Sequence, residues 1–324
     1  MKIQLLLMTF ILLLSACSDT SETGNTSRSD ITDKVFTNRS ANCADYANSF
    51  TSSVKDVNNS NQVFNGSLTI SVANGECSFA TNQIPNHDFN DGGTKFANNV
   101  AEVNNTFSVT ATPEATGSVT QLSLSYDNAI FLNGSKLDLL AAACYNVGNG
   151  KIGCGDDKSA TLYWRYDPMH SGNNFGTDSH NAHAQPDGSY HYHGDPKAMY
   201  DTSSTTTESP LIGFAADGFP VYGPYFNDNG TIRKAKPCYI LKNSGGARSK
   251  LSTEPDADFP GGTYDGTYIQ DYVFSQANKD AGTCDLDECN GMTHDGVYGY
   301  YVSDSYPWVL KCFKGTLNRS FKKN

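Results

Sequence analysis

The chain reads as mostly β: a β-rich, sandwich-like fold with long loops and few short helices, stapled by disulfides. Three observations predict that class. Short runs in which apolar and polar residues alternate recur through the sequence. Clusters of Gly, Asn, Asp and Pro punctuate them. Nine cysteines are present, and eight remain once one near the N-terminus is set aside, an even number suited to pairing in an exported chain.

Taken in order, Met1–Lys2 gives a short positive start and Leu5 to Leu14 an apolar run of signal-peptide length, too short for a comfortable membrane span. Leu14-Ser15-Ala16-Cys17 follows, small residues before a cysteine, which resembles the bacterial lipobox. That resemblance implies a signal peptide over 1–16 and acylation of Cys17. It also implies an exported protein held to the membrane through its N-terminal lipid. Ser18 in place of Asp favours the outer membrane of a Gram-negative bacterium. The other reading is an ordinary secretory signal with an incidental cysteine.

Residues 17–40 are rich in Ser, Thr, Asn and Asp and poor in apolar groups, so a flexible tether is expected there. The folded part is then 41–324. A short helix is expected over 42–54. Strands are expected at Ser67–Ala73, Thr106–Thr112, Val119–Tyr126 and Ala129–Leu132, with Asn133-Gly134 as a turn. Leu137 to Cys144 reads as a short helix. Residues 145–188 are loop-rich, and loops on a rigid scaffold are where ligands usually bind. Further strands are expected at Leu211–Ala215, Thr267–Phe274, Gly296–Val302 and Trp308–Phe313. Pro220, Pro224 and Pro307 mark edges or turns. The eighteen tyrosines suit half-buried sheets.

The eight remaining cysteines are Cys43, Cys77, Cys144, Cys154, Cys238, Cys284, Cys289 and Cys312. Four disulfides are expected. Eight cysteines allow about 105 pairings, and proximity favours Cys144–Cys154 and Cys43–Cys77. A thiolate zinc site is the competing use, but no pair has the two-residue spacing that such sites favour. The formal charge of -11 and the absence of a basic stripe exclude a nucleic-acid binder. About 300 residues beyond the leader suffice for one large or two ordinary domains.

Chemistry concentrates in Tyr190-His191-Tyr192-His193. The chain has seven histidines, and His170, His180, His183, His191 and His193 fall in one short stretch. On a strand, side chains two apart share a face, their Cα atoms about 6.5–7 Å apart, so His191 and His193 can meet one metal ion. His183, on the preceding loop, can fold back to join them. His87 is the candidate fourth ligand, brought in by tertiary structure. With cysteines paired, nitrogen ligands remain, and the affinity order favours copper over zinc. The tyrosines would lie on the other strand face and pack. The alternative is a pair of half-buried histidines bonded to backbone carbonyls.

Several blocks together resemble the YHYH-domain family of exported bacterial proteins. Tyr190-His191-Tyr192-His193-Gly194 is the naming motif, preceded by Asn181-Ala-His-Ala-Gln-Pro-Asp-Gly188. Ser209 to Pro224, Leu286-Asp-Glu-Cys-Asn-Gly291 and Cys312-Phe-Lys-Gly315 match later blocks, and Ile84-Pro-Asn-His87 an early one. The resemblance spans roughly 65 to 316 and implies one domain over 41–324. It names a domain without naming a reaction. Where the family tends to repeat Tyr-His-Tyr, this chain has Tyr298-Gly299-Tyr300, and His294 is the nearest substitute. His170 and His180 match no family histidine and are expected outside any metal shell.

Three acidic positions complete the candidates. Asp217, in Ala-Asp-Gly-Phe-Pro, is first a turn residue and second a catalytic carboxylate. Asp287 and Glu288, with Asp285, form a solvated acidic turn or a local calcium site. No Gly-rich phosphate loop, Gly-X-Ser-X-Gly elbow or His-Glu-X-X-His helix is present. Three function classes remain. The first is a surface lipoprotein with a histidine-ligated metal, for copper binding or handling. The second is a hydrolase using the histidines with Asp217 or Glu288. The third is a non-catalytic module binding glycan or protein through exposed aromatics.

Overall fold

A computed structural model describes residues 28–146, 154, 164–250 and 256–323. The strands run β1 (Ser29–Asp30), β2 (Asn48–Asp56), β3 (Gln62–Ala73), β4 (Glu76–Thr81), β5 (Asn105–Thr110), β6 (Thr120–Gln121), β7 (Ala129–Phe131) and β8 (Lys136–Leu137). They continue through β9 (Ala182–Ala184), β10 (Tyr190–Tyr192), β11 (Leu211–Ala215), β12 (Pro220–Tyr222), β13 (Tyr225–Asp228), β14 (Thr231–Lys234), β15 (Tyr239–Leu241) and β16 (Tyr272–Phe274). The last are β17 (Gly291–His294), β18 (Val297–Tyr301) and β19 (Cys312–Phe313), and the one α-helix among the described residues is the five-residue α1 (Gln276–Asp280). The mostly β class therefore holds.

Two sheets carry the architecture. The first has five strands in the order β1-β2-β3-β4-β5, and the second eight in the order β17-β18-β12-β11-β7-β8-β10-β9. One apolar cluster joins them, from Val54, Leu68, Phe79 and Phe107 of the first to Ile130, Tyr192, Phe214 and Tyr300 of the second. Phe79 and Phe214 meet across the gap with ring centroids 5.9 Å apart. Close backbone approach fixes Gly213 of β11, where a Cβ would lie 2.5 Å from the Ile130 carbonyl oxygen. The turn at Asn133-Gly134 joins β7 to β8 as expected, and Gly134 takes a positive φ of 88° there.

Four disulfides form: Cys43–Cys77, Cys144–Cys154, Cys238–Cys284 and Cys289–Cys312. Both pairs favoured by proximity are among them.

Several local expectations are corrected. The helix expected over 42–54 is a short 3₁₀ turn, Cys43–Tyr46, followed by β2. The side chains of β2 alternate, with Ser52, Val54 and Asp56 buried, and the strand pairs with β3 from Asn48↔Ile70 to Asp56↔Gln62. The helix expected over Leu137–Cys144 is extended chain. Leu137, Leu139, Ala141, Ala143 and Cys144 are buried, and the backbone finds tertiary partners: Asp138 N–H donates to the Tyr192 carbonyl and Leu139 N–H to Asn128 Oδ1. The tether expected to reach residue 40 is shorter. Ser29–Asp30 pair with Phe50–Thr51 and Ile31 is buried, so residues 28–40 lie along the folded body. Of the strands expected at Val119–Tyr126, Thr267–Phe274 and Trp308–Phe313, only β6, β16 and β19 form. The leader and Cys17 lie outside the described residues.

Candidate metal centre

The site is built on one hairpin at the edge of the large sheet. β9 and β10 pair antiparallel with Tyr190↔Ala184, His191↔His183 and Tyr192↔Ala182. The turn between them closes through the Gln185 N–H to the Ser189 carbonyl, with Gly188 at φ +89° and Asp187 Oδ1 accepting from the Ser189 N–H. Directly opposed residues share a face, so His183 stands over His191. His193, two residues on, stands beside both.

The three imidazoles converge. His191 Nε2 lies 3.0 Å from His193 Nε2, which lies 3.1 Å from His183 Nε2. One nitrogen of each ring falls within 4.8 Å of the other two. Nitrogens about 3–3.5 Å apart suit an ion with ligands at about 2.0–2.1 Å. His183 Nδ1 is 2.8 Å from the Phe175 carbonyl oxygen. A carbonyl only accepts, so Nδ1 carries the proton and the Nε2 lone pair faces the common centre. A single proton on His193 Nε2 cannot be shared fully with both close nitrogens. His191 is 2% exposed and His193 4%, with His183 partly exposed. Burial pushes the His191 imidazole well below its ordinary range, and His193, His183, Lys136 and Lys323 push in the same direction. Burial does the same to His193, against the carbonyls of Asp138 and Leu139. His183 is lowered less, since the Phe175 carbonyl and Asp138 oppose its burial. Neutral rings with available lone pairs are the form that ligates a metal.

The reverse face of β10 is packed. Tyr190 and Tyr192 are buried, and Tyr190 Oη donates to Asp178 Oδ2 at 2.9 Å. His87 belongs to this side, which corrects its expected place as fourth ligand. Its Nδ1 lies 2.7 Å from the Asp88 carbonyl oxygen and must donate there, leaving Nε2 to accept from Tyr192 Oη at 2.6 Å. Both ring nitrogens are used, and the strand separates His87 from the trio. His87 also stacks on His180, centroids 3.6 Å apart, and burial pushes its imidazole down to about 3. His180 and His170 lie outside the trio, as expected: His180 Nδ1 bonds the Pro196 carbonyl and His170 Nδ1 accepts from Gly172 N–H.

The acidic candidates serve structure. Asp217 is buried, and its Oδ2 accepts from Tyr300 Oη at 2.6 Å and from the N–H groups of Lys314 and Gly315 at 3.1 and 3.0 Å. It pins the turn before β12 to the C-terminal segment. Asp285 is held bidentate by Arg233, both contacts 2.7 Å, and Lys314 Nζ sits 3.2 Å from Asp287 and 2.6 Å from Glu288. Cationic side chains pair with all three carboxylates, and among the described residues these do not converge on one point as the trio does. Asp287, with Phe219, Tyr298 and Lys314, lines a cavity of about 820 Å³ that none of the three histidines borders. His294 pairs with Glu208 at 2.8 Å and does not replace the missing family histidine, since Gly299 stands opposite Met292. A Cβ at Gly299 would meet the Tyr222 ring at 2.6 Å, and four strands lie between β18 and β10. The departure at Gly299 thus leaves the trio intact.

Three polar residues on the histidine face escaped sequence reasoning: Lys136, Asp138 and Lys323. Lys136 Nζ is 3.3 Å from Asp127, and Lys323 Nζ is 2.5 Å from Asp138. The signal was an aspartate alone between Leu137 and Leu139, masked by reading that run as a helix.

Neither curated proteins nor solved structures gave a match to this chain. The model of the family described as YHYH protein matches residues 106–315, a stretch that contains the whole trio and leaves out His87. The resemblance read from the motifs is thereby established, and the chain belongs to the YHYH family.

Proposed function

We propose that this protein holds a transition-metal ion on His183, His191 and His193, with copper the favoured occupant and zinc the second. The observation that carries the reading is the convergence of three neutral Nε2 atoms at 3.0 and 3.1 Å. Nitrogen ligands and the absence of thiolates suit copper by the general affinity order. The burial of two of the three rings favours holding or delivering the ion over turning over a substrate. Asp217 and Glu288, the carboxylates a hydrolase would use, are tied to Tyr300 and Lys314. We place the protein at the bacterial envelope, anchored by lipid on Cys17, a reading that rests on the lipobox-like residues alone.

The test is metal content and titration of the full mature chain purified without a polyhistidine tag. One equivalent of copper or zinc is expected. His191→Ala and His193→Ala should lose it, and His170→Ala should keep it. Retention of stoichiometric metal by His191→Ala, or no uptake by the wild type, overturns the reading. Membrane fractionation of Cys17→Ala tests the anchor, and an unchanged membrane fraction refutes it.

A further inference from the structure

β8 lies beside β10 in parallel register, His191↔Lys136 and Tyr192↔Leu137. The ladder continues one step, with the Asp138 N–H donating to the Tyr192 carbonyl at 2.9 Å. Asp138 is thus the neighbour of His193, and it shares the face of Lys136, His191 and His193 because residues two apart on a strand point the same way. Asp138 is 4% exposed. One carboxylate oxygen, Oδ2, accepts from Gln185 Nε2 at 2.8 Å and from Lys323 Nζ at 2.5 Å. The other, Oδ1, is buried with no hydrogen-bond partner. A buried carboxylate oxygen left without a donor is costly, and the Asp138 carboxylate already acts electrostatically on His183.

The charges around the trio are balanced among themselves. Lys136 and Lys323 face Asp127 and Asp138, and Lys323 lies 3.6 Å from Asp127 as well. Two cations and two carboxylates balance. A divalent ion at the trio would add two positive charges to a buried region and must be compensated there. Lys136 is buried and cannot leave, whereas the Lys323 side chain is partly exposed and can swing into solvent.

Resting on the trio as a metal centre, we propose that Asp138 is the anionic partner of a divalent ion bound there, and that Lys323 holds its place in the metal-free protein. Ion binding then releases Lys323 from Asp138, and the ion takes over compensation of the carboxylate's charge from just outside its ligands. The lysine acts as a competing cation built into the chain, so affinity rises when it is removed and falls when the carboxylate is.

The experiment is calorimetric titration of Zn²⁺ into the metal-free full mature chain, wild type against Asp138→Asn and Lys323→Met, with thermal melts to confirm folding. Asp138→Asn should weaken binding about 10–100-fold, the range for removing a partner just outside the ligands. Lys323→Met should tighten it several-fold, a direction that a merely structural ion pair does not produce. Unchanged or weaker affinity in Lys323→Met overturns the proposal, even if Asp138→Asn fails to fold. If the wild type binds neither zinc nor copper, the trio reading itself falls and takes this one with it. If the wild type binds and both variants match it, only the role of Asp138 and Lys323 is lost.

Discussion

His87 and His191 show how far a residue's chemistry depends on its face. Both are buried neutral imidazoles, yet His87 spends both nitrogens on Asp88 and Tyr192, whereas the Nε2 of His191 points at two other histidines. His87→Ala should therefore leave metal affinity unchanged. It should cost about 1–3 kcal/mol of stability, because the Tyr192 hydroxyl loses its acceptor inside the core. Chemical denaturation combined with metal titration separates the two effects, and a loss of metal in this variant would return His87 to the ligand set. Gly299 gives a second case at this scale. Gly299→His, which would restore the family's Tyr-His-Tyr pattern, drives a side chain into the Tyr222 ring. A destabilisation of about 1–3 kcal/mol with no second equivalent of metal is expected. The trio was legible in the sequence because strand periodicity puts residues 191 and 193 on one face by geometry alone. The place of His87 was not, since nothing local says which side of a distant strand a loop will pack on.

Among elements, the β9–β10 hairpin sets the site, and its turn sets the hairpin. Gly188 has φ +89°, and a Cβ there would lie 2.6 Å from the Ala101 side chain. Gly188→Ala should cost about 1–3 kcal/mol through backbone strain. It should weaken metal binding too, because a one-residue slip in register turns His183 to the other face. Full affinity in a folded Gly188→Ala protein would show that the register survives without the glycine. The same scale shows why some elements were read correctly and others not. Asn133-Gly134 between two apolar runs specifies its turn chemically, and Leu211–Ala215 is a buried central strand whose apolar run has no helical length. Residues 42–54 interleave Ser, Thr, Asn and Asp with Cys43, Ala44, Tyr46, Ala47, Phe50 and Val54. Only the pairing of β2 with β3 decides their state, and that pairing is a tertiary fact. Leu137–Cys144 has the composition of a short buried helix, which a buried extended run shares.

At the scale of the whole molecule, buried titratable groups set how stability follows pH, and two of them act in opposite directions. Burial holds His87 at about 3 in the folded state against an ordinary 6.5. Between those values the unfolded chain binds the proton and the folded one does not. The stabilisation from its neutral burial is complete above about 6.5 and is lost as the pH falls from there towards 3, at up to about 1.4 kcal/mol per pH unit. Asp167 is the counterpart. Its carboxylate accepts from Trp308 Nε1 at 3.1 Å and from the Met169 N–H at 3.0 Å, but burial outweighs both and raises it to about 6 from 3.8. Here the folded state keeps the proton longer than the unfolded one, so lowering the pH from 6 to about 4 adds stability. Guanidinium unfolding of wild type, His87→Phe and Asp167→Asn at pH 7, 5.5 and 4.5 checks both. The margin of wild type over His87→Phe should shrink as the pH falls, and its margin over Asp167→Asn should grow. Two margins moving the same way would show that one of these groups is not buried as the fold places it. Because neither residue touches the trio, the outcome is read in the metal-free protein and stands apart from the identity of the ion.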